Sequence, residues 1–186
     1  MKRAFDILVS GAAMALLAVP LLLLCALVVA TSRGPAIHWS KRVGRDNRLF
    51  LMPKLRTMRI DAPQLATHLM TDPDQWLTPV GAVLRRYSLD ELPQLWSVLA
   101  GDMSLVGPRP ALFNQDDLVA LRNARGVQGL LPGLTGWAQI NGRDELPLAQ
   151  KADFDQEYLQ RRSFAFDLAI LLLTGWTALT GRGFTR

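Results

Sequence analysis

The sequence predicts a mostly helical α+β protein. It should begin with a re-entrant membrane helix broken at Pro20, followed by a small cytoplasmic domain of short strands and helices, some of them amphipathic and interfacial. Three observations predict this. No charged residue occurs from Ile7 to Ser32, a stretch long enough for a bilayer, where about 20 apolar residues suffice. Leu92, Leu95, Trp96 and Leu99 recur at i, i+3, i+4 and i+7, one apolar face of a helical period. Ile37/Trp39 and Leu49/Leu51 alternate weakly on either side of a Gly44-Arg45-Asp46-Asn47 turn signal, as paired short strands do. The expected division is a membrane helix over residues 1–33 and a membrane-associated cytoplasmic domain over residues 34–186.

A chain of 186 residues with 49% hydrophobic content suits a single domain. Its 21 basic and 16 acidic residues leave a formal charge of +5, which suits an anionic partner: nucleic acid, a phosphorylated small molecule or anionic lipid. No nucleic-acid motif is present and the N-terminus is apolar, so nucleic acid is not expected. The single cysteine, Cys25, lies in the apolar run and rules out an intrachain disulfide. With only His38 and His68, neither a histidine-based triad nor a histidine-rich zinc site is expected.

The apolar run is too long for a cleaved signal and meets the basic Arg33 region without a small-residue cleavage site. A spanning helix is the serious alternative. Against it, Pro20 removes a backbone hydrogen bond in mid-run. Positive charge also flanks both ends: Lys2 and Arg3 before, Arg33, Lys41, Arg42, Arg45 and Arg48 after. Such residues belong on the cytoplasmic side. A helix that enters, breaks at Pro20 and returns keeps both flanks there. Gly34-Pro35 ends the element by a turn signal.

Lys54-Leu55-Arg56 would place two cations on one face of an extended segment, an arrangement that suits a diphosphate. Ile60 to Tyr87 is less informative, and Arg85-Arg86 leads into the stretch that holds the most chemistry. There Asp90 and Glu91 are expected in the opening turn of a helix that starts near Ser88–Asp90 and stops at Gly101. Pro93, which has no N–H, is comfortable only in a first turn. A helix N-terminus favours phosphate. Neighbouring helical residues diverge by roughly 100°, so the two carboxylates would divide any work between them. The plain alternative is a capping box from Ser88 to Glu91.

Arg109 lies between Pro108 and Pro110. The prolines stiffen the segment, which lowers the ordering cost when the guanidinium fork grips a phosphate. Phe113–Arg125 reads as a helix with Leu118 and Leu121 inward. Residues 132–143 read as a glycine-punctuated loop in which Arg143 follows Gly142, a residue that allows close approach of a ligand. Lys151–Arg162 reads as a charged helix with Phe154, Tyr158 and Leu159 on one side. Phe164–Leu179, short for a span, reads as core or as an interfacial helix with Trp176 at home in the interface.

Four stretches resemble one family: Lys54-Leu55-Arg56-Thr57-Met58, Ser88-Leu89-Asp90-Glu91-Leu92-Pro93-Gln94-Leu95, Ser104-Leu105-Val106-Gly107-Pro108-Arg109-Pro110 and Pro132-Gly133-Leu134-Thr135-Gly136-Trp137. In this order they resemble the bacterial sugar transferases, the monotopic phosphoglycosyl transferases, in their minimal catalytic form. The resemblance runs from Lys2 to about Thr174. It implies transfer of a sugar 1-phosphate from a UDP-sugar to a polyprenyl (undecaprenyl) phosphate, with UMP released and Mg²⁺ as cofactor. That is the first membrane step of glycoconjugate or exopolysaccharide synthesis, at the cytoplasmic face of the bacterial inner membrane. The phospholipid membrane and downstream glycosyltransferases are the other implied partners.

By the same resemblance Asp90 is the nucleophile, carrying a covalent phospho-sugar, and Glu91 is the metal-linked carboxylate. Both are candidate metal ligands. Lys54, Arg56, Arg85, Arg109 and Arg143 would hold phosphate or nucleotide, and Asp155 matches a further family acid. Val19-Pro20 stands where the family often has Ser-Pro, so the re-entrant expectation leans on Pro20. Leu55 stands where an aromatic is usual, and Pro53 before it is another mild departure. The alternative class is a catalytically silent, membrane-anchored scaffold of glycan assembly. The retained Asp90-Glu91 pair argues against it.

Overall fold

The computed structural model describes residues 1–63, 72, 74–142 and 146–180; Arg143 and His68 lie outside them. Helix α1 runs from Lys2 to Thr31, a length of about 45 Å at 1.5 Å per residue. Its inner stripe is Phe5, Asp6, Ser10, Ala13, Met14, Leu17, Leu21, Leu24, Cys25 and Val28, spaced by three or four residues as a one-sided helix requires. Leu8, Leu16, Val19, Leu22, Leu23 and Val29 on the outer side are exposed. Pro20 lies inside this helix without ending it, so the expected break is absent as an interruption. Leu17 and Leu21, on either side of the proline, both pack on the body and hold the two halves in one element.

Polar clasps fix α1 at both ends. The Asp6 carboxylate accepts from Ser104 Oγ at 2.8 Å and the Leu105 N–H at 3.2 Å. Lys2 Nζ donates to Asp167 at 2.6 Å and to the Val106 carbonyl at 3.1 Å. Arg3 caps the far end of another helix through the carbonyls of Val98 and Leu99. At the C-terminal end, the buried Arg56 guanidinium donates to the carbonyls of Ser32, Arg33, Gly34 and Pro35.

Strands β1 (Ile37–Val43) and β2 (Leu49–Leu55) form the expected antiparallel hairpin, with Ile37 opposite Leu55 and Val43 opposite Leu49. Of the alternating residues that predicted them, Trp39, Leu49 and Leu51 are exposed and Ile37 packs against Leu55, while Met52 and Leu55 are core. A short helix α2 (Gly81–Arg86) and a 3₁₀ turn over Leu89–Glu91 lead to α3 (Gln94–Ala100). Gly101, in the left-handed region at φ 99°, ends α3 as expected.

The start of α3 differs from the sequence reading. Pro93 cannot donate back to Leu89, so the α-helical ladder cannot extend through it. The turn before it closes instead by Glu91 N–H to Ser88 carbonyl at 3.2 Å and Leu92 N–H to Leu89 carbonyl at 3.3 Å. Ser88 is left-handed at φ 54° and its hydroxyl caps nothing, so the capping-box alternative does not hold. The buried face of α3 is Gln94, Leu95, Ser97 and Val98, while Trp96 is 55% exposed.

Beyond α3, strand β3 (Ser104–Val106) pairs in parallel with β4 (Gly133–Thr135), a pairing too short to show a period in the sequence. It needs glycine. A Cβ on Gly107 would lie 2.3 Å from the Leu131 carbonyl oxygen, and one on Gly133 would lie 2.0 Å from the Gly107 nitrogen. Helices α4 (Asp116–Ala124), α5 (Trp137–Ile140), α6 (Leu148–Arg161) and α7 (Phe164–Thr180) complete the body. The main core gathers Met52, Leu95, Val98, Met103, Leu105, Val106, Val127, Leu130, Tyr158 and Ile170, and a smaller cluster joins Val28, Leu55 and Leu84. On α7, Leu172 and Trp176 are exposed and Ile170 is buried.

Candidate active site

Four elements deliver the candidate residues to one place. The end of β2 carries Lys54, the end of α2 carries Arg85, the 3₁₀ turn carries Asp90 and Glu91, and the Pro108-Arg109-Pro110 segment after β3 carries Arg109. Glu91 Oε1 accepts from Lys54 Nζ at 2.9 Å and from Arg109 Nη2 at 3.1 Å. Arg85 Nε donates to Thr57 Oγ1 at 2.9 Å, and its charge acts on Asp90. Among the described residues no donor reaches the Asp90 carboxylate within hydrogen-bonding distance. One acid is thus clamped by two cations, and the other, buried at 7% exposure, is left open in the sense that its carboxylate accepts no hydrogen bond from the described residues.

The electrostatics separate the two further. Burial pushes the Asp90 carboxyl above its ordinary value and Glu91 adds to this, while Lys54, Arg85 and Arg109 oppose it. Burial also works against the Glu91 carboxylate, but Arg109 and Lys54 prevail and hold it well below the usual carboxylate range. Burial lowers Lys54, with Glu91 opposing. The site gathers three basic side chains, Lys54, Arg85 and Arg109, around two acidic ones, Asp90 and Glu91, a basic excess that suits an incoming phosphate.

Not every predicted residue arrives here. Arg56 does not share the site with Lys54: its guanidinium is taken up by the carbonyls that follow α1. Its part is to fasten the end of that helix. Asp155 does not face the site either. It is 1% exposed on α6 and is held by Arg122, whose Nε donates to Oδ2 at 2.9 Å and whose Nη2 lies 2.7 Å from the same oxygen as an ion pair. Burial pushes its carboxyl up against the pull of Arg122. Sequence reasoning passed over Thr57, Arg42 and Arg122. Arg122 sits in an ordinary amphipathic helix, and nothing in its local pattern sets it apart.

A divalent cation can be tested against the donors present. No group of three or more His, Cys, Asp or Glu side chains converges among the described residues. Mg²⁺ needs only one or two carboxylates when substrate phosphates supply further oxygens. Asp90 offers an open carboxylate. On Glu91, both cations bind Oε1, which leaves Oε2 as a donor oxygen. The residues present fit such an ion.

An open carboxylate among lysine and arginine side chains suits the movement of a phosphoryl group. Residues 1–181 match the model of the family described as bacterial sugar transferase, and the chain belongs to that family. It is 38% identical over 183 residues to the "Uncharacterized sugar transferase EpsL" of Bacillus subtilis, an alignment covering 98% of this chain and 89% of that one. With the "Exopolysaccharide production protein ExoY" of Rhizobium meliloti it shares 36% over 199 residues, 98% of this chain and 87% of that one. With the "UDP-glucose:undecaprenyl-phosphate glucose-1-phosphate transferase" of Escherichia coli it shares 37% over 181 residues, covering 94% of this chain but 39% of the longer relative. The chain is accordingly an enzyme, a phosphoglycosyl transferase.

Proposed function

We propose that this chain transfers a sugar 1-phosphate from a UDP-sugar to a polyprenyl phosphate, of undecaprenyl type, through a covalent intermediate on Asp90. The observation that carries the reading is the contrast between the open Asp90 carboxylate and the clamped Glu91. An Asp90 oxygen attacks the phosphorus that bears the sugar, and the bond from that phosphorus to the UMP oxygen breaks. UMP leaves with the bonding pair. An oxygen of the lipid phosphate then attacks the same phosphorus and releases the Asp90 carboxylate. Splitting the transfer in two lets one site serve a water-soluble donor and a membrane-held acceptor in turn. Lys54, Arg85 and Arg109 offset the charge that develops on the phosphoryl oxygens. Mg²⁺ bound through Glu91 and Asp90 would add to that offset.

The site works at a membrane in this reading. Helix α1 has mean hydropathy 2.8 over its most apolar window, with 6% of that window buried, and it is long and apolar enough to cross a bilayer. Both of its ends are nonetheless clasped to one body. We read it as re-entering from the cytoplasmic face of the inner membrane, with residues 34–186 as the catalytic domain on that side and downstream glycosyltransferases receiving the product. The test is UMP release from a panel of UDP-sugars with and without polyprenyl phosphate. Lipid-linked sugar phosphate made by the wild type supports the reading, and no turnover with any donor sinks it.

A further inference from the structure

Three carbonyls of the Pro108-Arg109-Pro110 segment are each held by a separate donor. Pro108 oxygen accepts from the Gly133 N–H at 2.9 Å, Pro110 oxygen from Arg42 Nη1 at 3.1 Å, and Arg109 oxygen from Arg122 Nη1 at 2.9 Å. Prolines on both sides of Arg109 have no N–H to offer a strand ladder, so the carbonyls are what remains to fix this segment. Of these bonds, the one to Arg109 itself comes from a side chain that is oriented in turn. The other face of the Arg122 fork closes on Asp155 through two nitrogens at 2.9 and 2.7 Å. The side chains of Arg122 and Asp155 are 12% and 2% exposed. Nε and Nη2 meet one carboxylate oxygen while Nη1 meets the Arg109 carbonyl, so all three nitrogens of the guanidinium are engaged.

We propose that Arg122 and Asp155 act together as positioning residues for Arg109. They fix its main chain so that the guanidinium meets Glu91 and the substrate phosphate at a set distance. The pair joins α4 and α6 to the Pro108-Arg109-Pro110 segment, so helices that touch no substrate set the aim of a residue that does. This rests on the transferase reading for its kinetic form and on diphosphate binding for a form independent of catalysis.

The experiment compares Arg122→Lys and Asp155→Asn in the wild-type and Arg109→Lys backgrounds. Lysine at 122 keeps the charge but loses the planar fork, and asparagine at 155 keeps the shape but loses the charge. A melting curve confirms that each variant is folded. With Arg109 present, each change should lower kcat/KM for the UDP-sugar by about ten- to a hundredfold, the scale of a misplacement near 1 Å. The same changes should weaken the thermal protection given by inorganic pyrophosphate. With lysine at 109, which is not aimed as a fork, both effects should shrink markedly. An equal loss in both backgrounds, in kinetics and in pyrophosphate protection, overturns the proposal and leaves the pair as a structural bridge. If the wild type turns over no UDP-sugar, the transferase reading fails, and the pair is judged on pyrophosphate protection alone.

Discussion

Asp90 and Glu91 are neighbours in sequence and opposites in environment. Replacing Asp90 by Asn keeps the volume and removes the nucleophilic charge. Transfer should be abolished while UDP-sugar binding persists. Wild type incubated with labelled UDP-sugar and no lipid should retain label that Asp90→Asn does not, and robust turnover by the variant would argue for direct attack by the lipid phosphate. Because burial raises the Asp90 pKa and attack needs the carboxylate, activity should rise with pH through a limb above the ordinary value of about 4. A pH–rate profile flat down to that value would contradict this. Glu91 has the opposite sign. Its pKa is lower folded than unfolded, so its contribution to stability is present above the ordinary glutamate range and fades as pH falls toward the folded value. The melting-temperature gap between wild type and Glu91→Gln should therefore narrow in acid. At neutral pH the variant should lose most activity, since Lys54 and Arg109 lose their shared anion, and excess chelator should silence the wild type.

Between elements, close backbone contact and saturated carbonyls matter more than propensity. Gly107→Ala would place a methyl 2.3 Å from the Leu131 carbonyl oxygen, where only backbone movement can relieve it. A loss of about 1–3 kcal/mol in a denaturant melt is expected, together with reduced activity, because Arg109 is two residues away. Arg56→Ala leaves the carbonyls after α1 without their donor. It should cost about 3 kcal/mol, whereas a phosphate-binding role would predict normal stability and a raised KM for the donor.

For the whole molecule, α1 is the organising question. Its stripe from Phe5 to Val28 lies along the same body, and its clasps at Asp6 and at Ser32–Pro35 face that body too. Its other face is apolar and exposed. Single cysteines near Met1 and in the β1–β2 hairpin, in a Cys25→Ser background, should label from the cytoplasmic side only. Labelling near Met1 from the periplasmic side alone would establish a spanning helix and require that the clasp at Asp6 be broken in the membrane.

The sequence by itself determined the apolar N-terminal helix, the β1–β2 hairpin, the Gly101 stop, the Asp90-Glu91 pair and the value of Arg109 between its prolines. Each depends on neighbours within a few residues: a hydrophobic run, a turn signal, a ring that fixes φ. Only the tertiary structure decided the rest. It turned Trp39, Leu49 and Leu51 of the hairpin outward and carried α1 through Pro20. It sent Arg56 to the end of α1 and Asp155 to Arg122, and paired β3 with β4 through glycines 26 positions apart (Gly107 and Gly133). The reason is that a guanidinium or a carboxylate binds whatever partner the packing brings within about 3 Å, and for Glu91, Arg56 and Asp155 that partner comes from 18 to 37 residues away. Local pattern specifies the groups able to do chemistry; the distances that give one carboxylate to cations and leave the other open exist only once the elements are packed.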